Sequence, residues 1–316
     1  MTAVTIGAGT AGPGTATDGR LTEVADGVFA HVQAPGGWCL SNSGVITTPD
    51  GAVVVDTAAT QHRAEGLRDR VDAAAPGPRR TVVNTHHHGD HVFGNHVFGP
   101  DATLVGHELI GPEMTATGLA LTGLWPDVEW GDVRVTVPTV TFADRLTLPA
   151  GDRTVELLHV GPAHTTNDVV VWLEDCRVLF AGDVVLPGCT PFVLMGSVTG
   201  SLAAVERLAR LDPLVVVGGH GPVGGPEVFE PTTAYLTWVL DVAREGLAAG
   251  RSPLEAARAP LPAEFRGLLD PERLVGNLHR AYLELSGGRP GAPVDVAPVF
   301  GEMVTWNGGT VPTCWA

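Results

Sequence analysis

The sequence predicts an α/β protein in which helices cover β-sheets, followed by a helical C-terminal appendage. Short apolar or alternating runs, typical of strands, recur between residues 27 and 217. Two amphipathic stretches with helical spacing, residues 60–75 and 201–211, interrupt these strands. Beyond Pro226 the segments with a regular pattern have helical spacing. This alternation of strands and helices favours layered sheets with helices outside over a helical bundle.

The predicted strands are short, and turn residues separate them. The second and third strands, for example, are joined by the turn Pro49-Asp50-Gly51. The first helix carries Leu67, Val71 and Ala74 on one face, and the prolines at 76 and 78 end it. In chain order the predicted strands cover residues 27–32, 43–47, 52–56, 80–84, 103–105, 132–137, 154–160, 168–173, 177–181 and 214–217.

The C-terminal part of the chain predicts helices over residues 227–247, 252–259 and 272–285. The last thirty residues are rich in Gly and Pro, so we expect them to be irregular but packed down by their large apolar side chains. The predicted division of the chain is a flexible N-terminal tail (residues 1–20), a catalytic α/β domain (residues 21–225) and a helical extension packed on the core (residues 226–316).

The composition excludes several classes of partner and of chemistry. A net charge of −16 repels phosphate backbones and anionic lipid, so neither nucleic acid nor a membrane is an expected partner. The chain contains no lysine, which excludes Schiff-base chemistry. The first twenty residues lack the basic start and apolar core of a secretory signal, and we expect a cytoplasmic protein.

The strongest functional signal is the run His86-His87-His88-Gly89-Asp90-His91, directly after a predicted strand. Two histidines two residues apart at a strand end can direct both imidazoles at one ion, while Asp90 and His91 turn towards a second. His164, Asp183 and His220 each follow a later predicted strand. Because strand ends converge at one edge of a sheet, we expect all of these side chains in one site, with His87 packing beside it. Imidazole and carboxylate ligands without thiolates suit an open catalytic site for zinc, iron or manganese.

These motifs, in their order and spacing, resemble the metallo-β-lactamase superfamily over roughly residues 21–225. The resemblance implies an αββα sandwich of the metallo-β-lactamase type with a two-metal hydrolytic centre. Asp56, at the end of a predicted strand, matches the early aspartate of the superfamily, which supports the ligands from behind. Carried over by position, the resemblance assigns His86, His88 and His164 to one metal, Asp90, His91 and His220 to the second, and Asp183 to a bridge between them.

Such a centre implies two divalent cations as cofactors, with zinc the expected element. Two metals that share a water lower its pKa and provide a nucleophile without serine or cysteine, and Asp90 is placed to hold or receive a proton. Esters, thioesters, lactones and amides all fit this chemistry.

Apolar residues near the metal motifs favour a flat or hydrophobic substrate. Trp38, Trp125, Phe192 and Met195 are the expected substrate-binding side chains. An aspartate rather than a cysteine at position 183, in a chain without lysine, departs from the best-known true β-lactamases and disfavours antibiotic hydrolysis.

A closer resemblance is carried by residues 36–42, 119–126, 190–197, 218–223 and 307–314. These segments are similar to the second-ring cyclases of bacterial aromatic polyketide pathways, of the actinorhodin type. The resemblance implies a metal-dependent cyclase with thioesterase activity. Its substrate would be a poly-β-ketone on an acyl carrier protein, its partner, and the product would be released by thioester hydrolysis.

Three other functions remain open at this point. A general acyl thioesterase or lactonase would use the same centre. A mononuclear-iron dioxygenase would need only His86, His164 and Asp183. A binding protein without catalysis would be expected to lack some of the ligand residues, whereas this sequence has all seven. The oligomeric state, a homodimer included, is undecided.

Overall fold

Two β-sheets packed face to face form the centre of the structure, a computed structural model that describes residues 19–316. The first sheet has seven strands in chain order, antiparallel from the first to the fourth and parallel from the fourth to the seventh. They are β1 (Arg20–Ala25), β2 (Val28–Val32), β3 (Ser43–Thr48), β4 (Gly51–Val55), β5 (Arg79–Val83), β6 (Thr103–His107) and β7 (Val140–Phe142).

The second sheet has five strands. They are β8 (Arg145–Ala150), β9 (Arg153–His159), β10 (Val169–Leu173), β11 (Val178–Gly182) and β12 (Val215–Gly218). Their spatial order is β12-β11-β10-β9-β8, and only β11 and β12 run parallel. The helix between β11 and β12 supplies the crossover that a parallel pair requires.

Helices cover the outer face of each sheet and also form the C-terminal region. They are α1 (Gln61–Ala74), α2 (Gly89–Val92), α3 (Ile110–Thr117), α4 (Ala120–Leu124), α5 (Val198–Ala209), α6 (Phe229–Ala248), α7 (Pro253–Ala256), α8 (Arg273–Leu285) and α9 (Val296–Trp306). Single 3-10 turns cover Asn95–Phe98, Pro226–Val228 and Ala263–Phe265.

The apolar residues divide into layers that match this arrangement. Between the sheets, Val55 and Val83 of the first pack with Leu157 and Val171 of the second. Outside the first sheet α1 buries Leu67 and Val71, and outside the second α5 buries Val205 and Leu208. The predicted αββα sandwich with a helical C-terminal region is therefore confirmed.

Two predictions of local structure were wrong. Residues 132–137, predicted as a strand, form none: the Val133 amide donates to the Gly131 carbonyl in a tight turn, and β7 takes the edge position beside β6. The last thirty residues, predicted as irregular, contain α9. Asp295 caps this helix by accepting a hydrogen bond from the Ala297 amide, and Pro298 falls in the first turn, where proline is tolerated.

The N-terminal prediction falls mostly outside the described part of the chain. Of the flexible tail predicted over residues 1–20, residues 1–18 lie outside the described residues, and Arg20 already begins β1. Across residues 19–316, none of the helices has both the length and the apolar character that crossing a bilayer demands.

Candidate metal centre

The seven predicted ligands meet at one edge of the sandwich, where strands of both sheets end. The ligands come from the loop after β5, from α2, and from the loops after β9, β11 and β12. They are His86, His88, Asp90, His91, His164, Asp183 and His220. All are buried except His88, which is partly exposed.

The first group of donor atoms comprises three imidazole nitrogens and one carboxylate, all within 4.8 Å of one another. His88 Nδ1 lies 3.1 Å from His86 Nε2 and 2.8 Å from His164 Nε2. Asp183 Oδ2 lies 3.4 Å from His164 Nε2. Three imidazoles and a carboxylate that converge in this way have the composition of a divalent-metal site.

The second group comprises Asp90, His91 and His220, and Asp183 adjoins it as well. Asp90 Oδ2 lies 3.2 Å from His220 Nε2. Asp183 reaches His91 through Oδ1, at 3.1 Å, and His220 through Oδ2, at 3.5 Å. Asp183 thus contacts histidines of both groups, as a carboxylate between two cations would.

The outer nitrogen of four of these imidazoles has a hydrogen-bond acceptor. These pairs are His86 Nδ1 with Thr85 Oγ1 at 3.0 Å, His91 Nδ1 with Asp56 Oδ2 at 2.8 Å, His164 Nδ1 with the Phe192 carbonyl, and His220 Nδ1 with the Gly36 carbonyl at 3.0 Å. A carbonyl or carboxylate oxygen can only accept a hydrogen bond. The Thr85 hydroxyl donates its own proton to Asp56 and is therefore also an acceptor here. The proton of each imidazole therefore lies on Nδ1, and a lone pair on Nε2 faces the centre.

Converging lone pairs and carboxylates make a site that needs a cation. His91 Nε2 and Asp183 Oδ1 are buried without a hydrogen-bond partner within the described residues. Burial lowers the pKa of His86 and of His88, which keeps both in the neutral form that binds metals. At His91 burial acts in the same direction, but Asp183, Asp56 and Asp90 together raise its pKa. The residues present fit two divalent cations.

Asp56 lies behind the ligands and bonds two neighbours. Its Oδ1 accepts a hydrogen bond from the Thr85 amide at 2.7 Å, and its Oδ2 accepts from the Thr85 hydroxyl at 2.6 Å as well as from His91. Its backbone φ is +60°, a left-handed conformation that is uncommon for a residue with a side chain. In this strained conformation, the turn after β4 directs the Asp56 carboxylate at the loop that carries Thr85 and the first histidines.

A cavity of about 470 Å³ opens onto the centre, and its wall contains three of the four predicted substrate-binding residues. Trp38, Phe192 and Met195 line the cavity. The structure places Trp125 behind this wall: its ring lies 5.7 Å from that of Trp38, and its indole N–H donates to the Pro312 carbonyl at 2.6 Å. Trp125 also packs edge to face on Phe300, another residue of this wall, so it supports the cavity from behind through these two side chains.

Part of the cavity wall was not predicted from the sequence. His87, expected only to pack, lines the cavity, and burial lowers its pKa to about 4. Arg273 and Arg280 of α8 line it too. Their spacing of seven residues on a predicted amphipathic helix was the available signal, since it places both on one face.

The helix α8 holds the segment after β11 through a row of polar side chains on one face. Each side chain bonds the backbone of residues 190–199 at successive points. Arg273 donates to Thr190 O at 3.1 Å, Asn277 donates to Pro191 O at 2.7 Å and accepts from Val193 N at 2.9 Å, Arg280 donates to Leu194 O at 2.9 Å, and Glu284 accepts from Val198 N at 2.9 Å. The C-terminal region therefore fixes the segment that carries Phe192, whose carbonyl orients His164.

An αββα sandwich with histidine and aspartate donors at the shared edge of its sheets defines a class of metal-dependent hydrolases. This chain belongs to the metallo-beta-lactamase superfamily, whose sequence profile matches residues 36–220. Members of this superfamily usually bind divalent metals, often zinc. The helices α6–α9 lie beyond the matched residues.

Individual relatives agree with this assignment. A Bacteroides fragilis protein named metallo-beta-lactamase type 2 is 25% identical over an alignment of 233 residues, which covers 71% of this chain and 88% of that protein. A metallo-beta-lactamase structure from Pontibacter korlensis has a TM-score of 0.56 and 24% identity over 69% of this chain and 98% of its own. The DIM-1 metallo-beta-lactamase structure has a TM-score of 0.57 and 19% identity over 71% and 99%. At these identities the two structures show the fold alone.

Proposed function

We propose that this chain is a metal-dependent aromatic polyketide cyclase with thioesterase activity. It closes the second ring of a poly-β-ketone on an acyl carrier protein, in the cytoplasm, by aldol condensation and then releases the product by thioester hydrolysis. One observation carries the proposal: an apolar cavity walled by Trp38, Phe192 and Met195 leads to the His/Asp centre. Its volume of about 470 Å³ lies in the range of small-molecule sites.

In this proposal the two groups of donors each hold one divalent cation, with zinc the expected element. His86, His88 and His164 hold the first, Asp90, His91 and His220 hold the second, and Asp183 serves both. When bound, the metals supply Lewis acidity, which lowers the pKa of water and stabilises negative charge on a carbonyl oxygen.

Asp90 is the proposed proton acceptor among the residues of the chain. It lines the cavity, and its carboxylate lies at the boundary between the ligands and the apolar wall. For ring closure it takes the acidic proton between two carbonyls, the enolate carbon bonds to a third carbonyl carbon as that carbonyl π bond opens, and the proton passes to the new alkoxide oxygen. This hydroxyl then leaves as water together with the second proton of the attacking carbon, which forms the carbon–carbon double bond. For release, water adds its oxygen to the acyl carbon, the carbon–sulfur bond breaks, and the thiol takes the proton.

The apolar wall has the task of folding the substrate. The rings of Trp38 and Phe192 meet edge to face, with centroids 5.4 Å apart, and form a corner against which a flat ring system can rest. A poly-β-ketone is flexible, so restricting it to one reactive conformation lowers the entropic cost of ring closure. The same wall keeps bulk water from a condensation that releases water.

β-Lactam hydrolysis is the second candidate, because the relatives carry that name. Against it stand the aspartate at position 183 and the mainly apolar wall of the cavity. A general acyl thioesterase shares the proposed centre but does not require the aromatic corner.

The test begins with elemental mass spectrometry of the purified protein, which should find two divalent ions per chain. Asp183→Ala should lose metal, and its hydrolysis of a β-keto N-acetylcysteamine thioester should fall by more than about a hundredfold, because one carboxylate serves both groups. Asp69→Ala, which removes an exposed carboxylate, is the matched control.

The other outcomes separate the alternatives. Undiminished turnover by Asp183→Ala would contradict the two-metal centre, and a single iron would favour the dioxygenase. Turnover of a chromogenic β-lactam without thioester hydrolysis would replace the polyketide proposal. Thioester hydrolysis without loss of water from a poly-β-ketone analogue would leave a general thioesterase.

A further inference from the structure

Arg280 carries a buried positive charge without an ion pair in the described part of the chain. Its side chain has 0% exposure. The nearest acid on the same helix is Glu284, but its carboxylate accepts hydrogen bonds from Val198 N, Thr199 N and the Thr199 hydroxyl. Buried charges in proteins are normally paired, because desolvation is costly.

The hydrogen bonds of the Arg280 guanidinium are incomplete. Nε and Nη2 donate to the Leu194 carbonyl at 2.9 and 2.6 Å, and Nη2 also donates to the Ala292 carbonyl at 2.8 Å. Nη1 is buried and has no acceptor within residues 19–316. Two neutral carbonyls thus hold the group in place, and one donor with its share of the charge is left unsatisfied.

Arg280 is one of the residues that line the cavity. Leu194 and Ala292, whose carbonyls it bridges, line the cavity as well. Met195 and Val294 make the neighbouring wall apolar. Arg280 follows Arg273, which stacks on Trp38, by seven residues, and thus lies roughly 10 Å further along α8.

We propose that Arg280 is a binding subsite for an anionic oxygen of the ligand, either a carboxylate or the enolate of a β-dicarbonyl, on an apolar aromatic body. This inference rests on the proposed function, which it deepens by naming the polar group that the substrate presents away from the metals. The position lies beyond the residues matched by the family profile, so the subsite belongs to the C-terminal region of this chain. A low dielectric strengthens the attraction between the guanidinium and an anion.

The test compares the binding of naphthoate with that of acetonaphthone, a neutral ketone of the same size, by calorimetry. The wild-type protein should bind naphthoate about ten- to a hundredfold more tightly, the usual effect of one charge-assisted hydrogen bond. Arg280→Met should lose this preference, whereas Arg289→Met, at an exposed arginine, should keep it. The measurement is made with metal-loaded and with chelator-treated protein.

The outcomes keep this subsite separate from the proposed function, because binding needs no turnover. Equal binding of the two probes by the wild type, or an undiminished preference in Arg280→Met, would overturn the proposal. A preference that disappears with the metals would place the anion on the His/Asp centre instead and would also overturn it. If Arg280→Met does not fold, Arg280→Gln removes the charge but retains a donor for the Leu194 carbonyl.

Discussion

Asp56 shows how a single residue behind the ligands determines the state of the centre. Its carboxylate accepts the proton of His91 Nδ1, which leaves the lone pair of Nε2 directed at the centre of the donor groups. It also holds the Thr85 hydroxyl, which in turn accepts the proton of His86 Nδ1. One residue in a strained backbone conformation thus sets the tautomer of a ligand in each group.

We expect Asp56→Asn to weaken metal binding without unfolding the protein. The asparagine has the same shape, but it has only one acceptor oxygen for the amide of Thr85, the hydroxyl of Thr85 and His91. Metal affinity, measured by competition with a chelator, should fall about ten- to a hundredfold. Asp69→Asn is the control, and equal affinities in the two variants would show that Asp56 does not set the ligand tautomers.

The grouping of the seven donor residues could be predicted from the sequence because their signal is local, but their hydrogen-bond supports could not. His86, His88, Asp90 and His91 lie within six residues of one another, and the three later ligands directly follow apolar runs. The Gly36 and Phe192 carbonyls, by contrast, are backbone groups that any residue offers. Their role depends on which loops meet, and this is a tertiary property.

At the scale of elements, α8 acts as a template for the segment between β11 and α5. Its polar face bonds residues 190–199 point by point, and Asn277 saturates the backbone groups on both sides of Phe192. Such bonds are needed because buried residues that belong to neither sheet have no strand partner for their backbone groups. The geometry of His164 therefore depends on a helix outside the αββα sandwich.

Asn277→Leu should destabilise the protein and loosen His164. The change keeps the branched shape of the side chain but leaves the Val193 amide and the Pro191 carbonyl buried without partners, at a cost of about 1–3 kcal/mol each. Denaturant unfolding measures the stability, and chelator competition should show weaker metal binding. His279→Leu, on the other face of α8, removes only a half-exposed contact with Glu302 and should cost less than about 1 kcal/mol. Equal effects of the two substitutions would show that the polar face of α8 does not hold the segment that carries Phe192.

The positions of helices were more predictable than their roles. The periodicity of residues 272–285 predicts α8 almost to its ends, because apolar spacing is a property of the helix itself. The same periodicity does not predict that the face with Arg273 and Arg280 is buried, because arginine is usually exposed. Residues 132–137 have the composition of a strand, but pairing depends on which segment reaches the free edge of the sheet.

At the scale of the whole molecule, the C-terminal end of the chain packs against the segment that carries Trp38. The last residues pack beside Trp38: the Trp315 amide donates to the Trp38 carbonyl at 3.1 Å, and Arg63 donates to the Trp315 carbonyl at 3.2 Å. From the other side Glu272 accepts the indole N–H of Trp38 at 2.6 Å. Three distant parts of the sequence therefore meet at one cavity wall, and no local pattern could have predicted this.

Deletion of residues 310–316 should change substrate selection while metal binding persists. It removes the acceptors at Pro312 and Trp315 and the backbone bond to Trp38, so the aromatic corner loses its support, but the acceptors of the ligand histidines remain. The KM for a bulky aromatic thioester should rise about ten- to a hundredfold, while that for an acetyl thioester should change little, because only the bulky ligand needs the corner. Val311→Ser, at an exposed position of the same segment, is the control. A parallel rise for both thioesters, or loss of metal from the shortened chain, would mean that this segment supports the centre as a whole rather than the corner at Trp38.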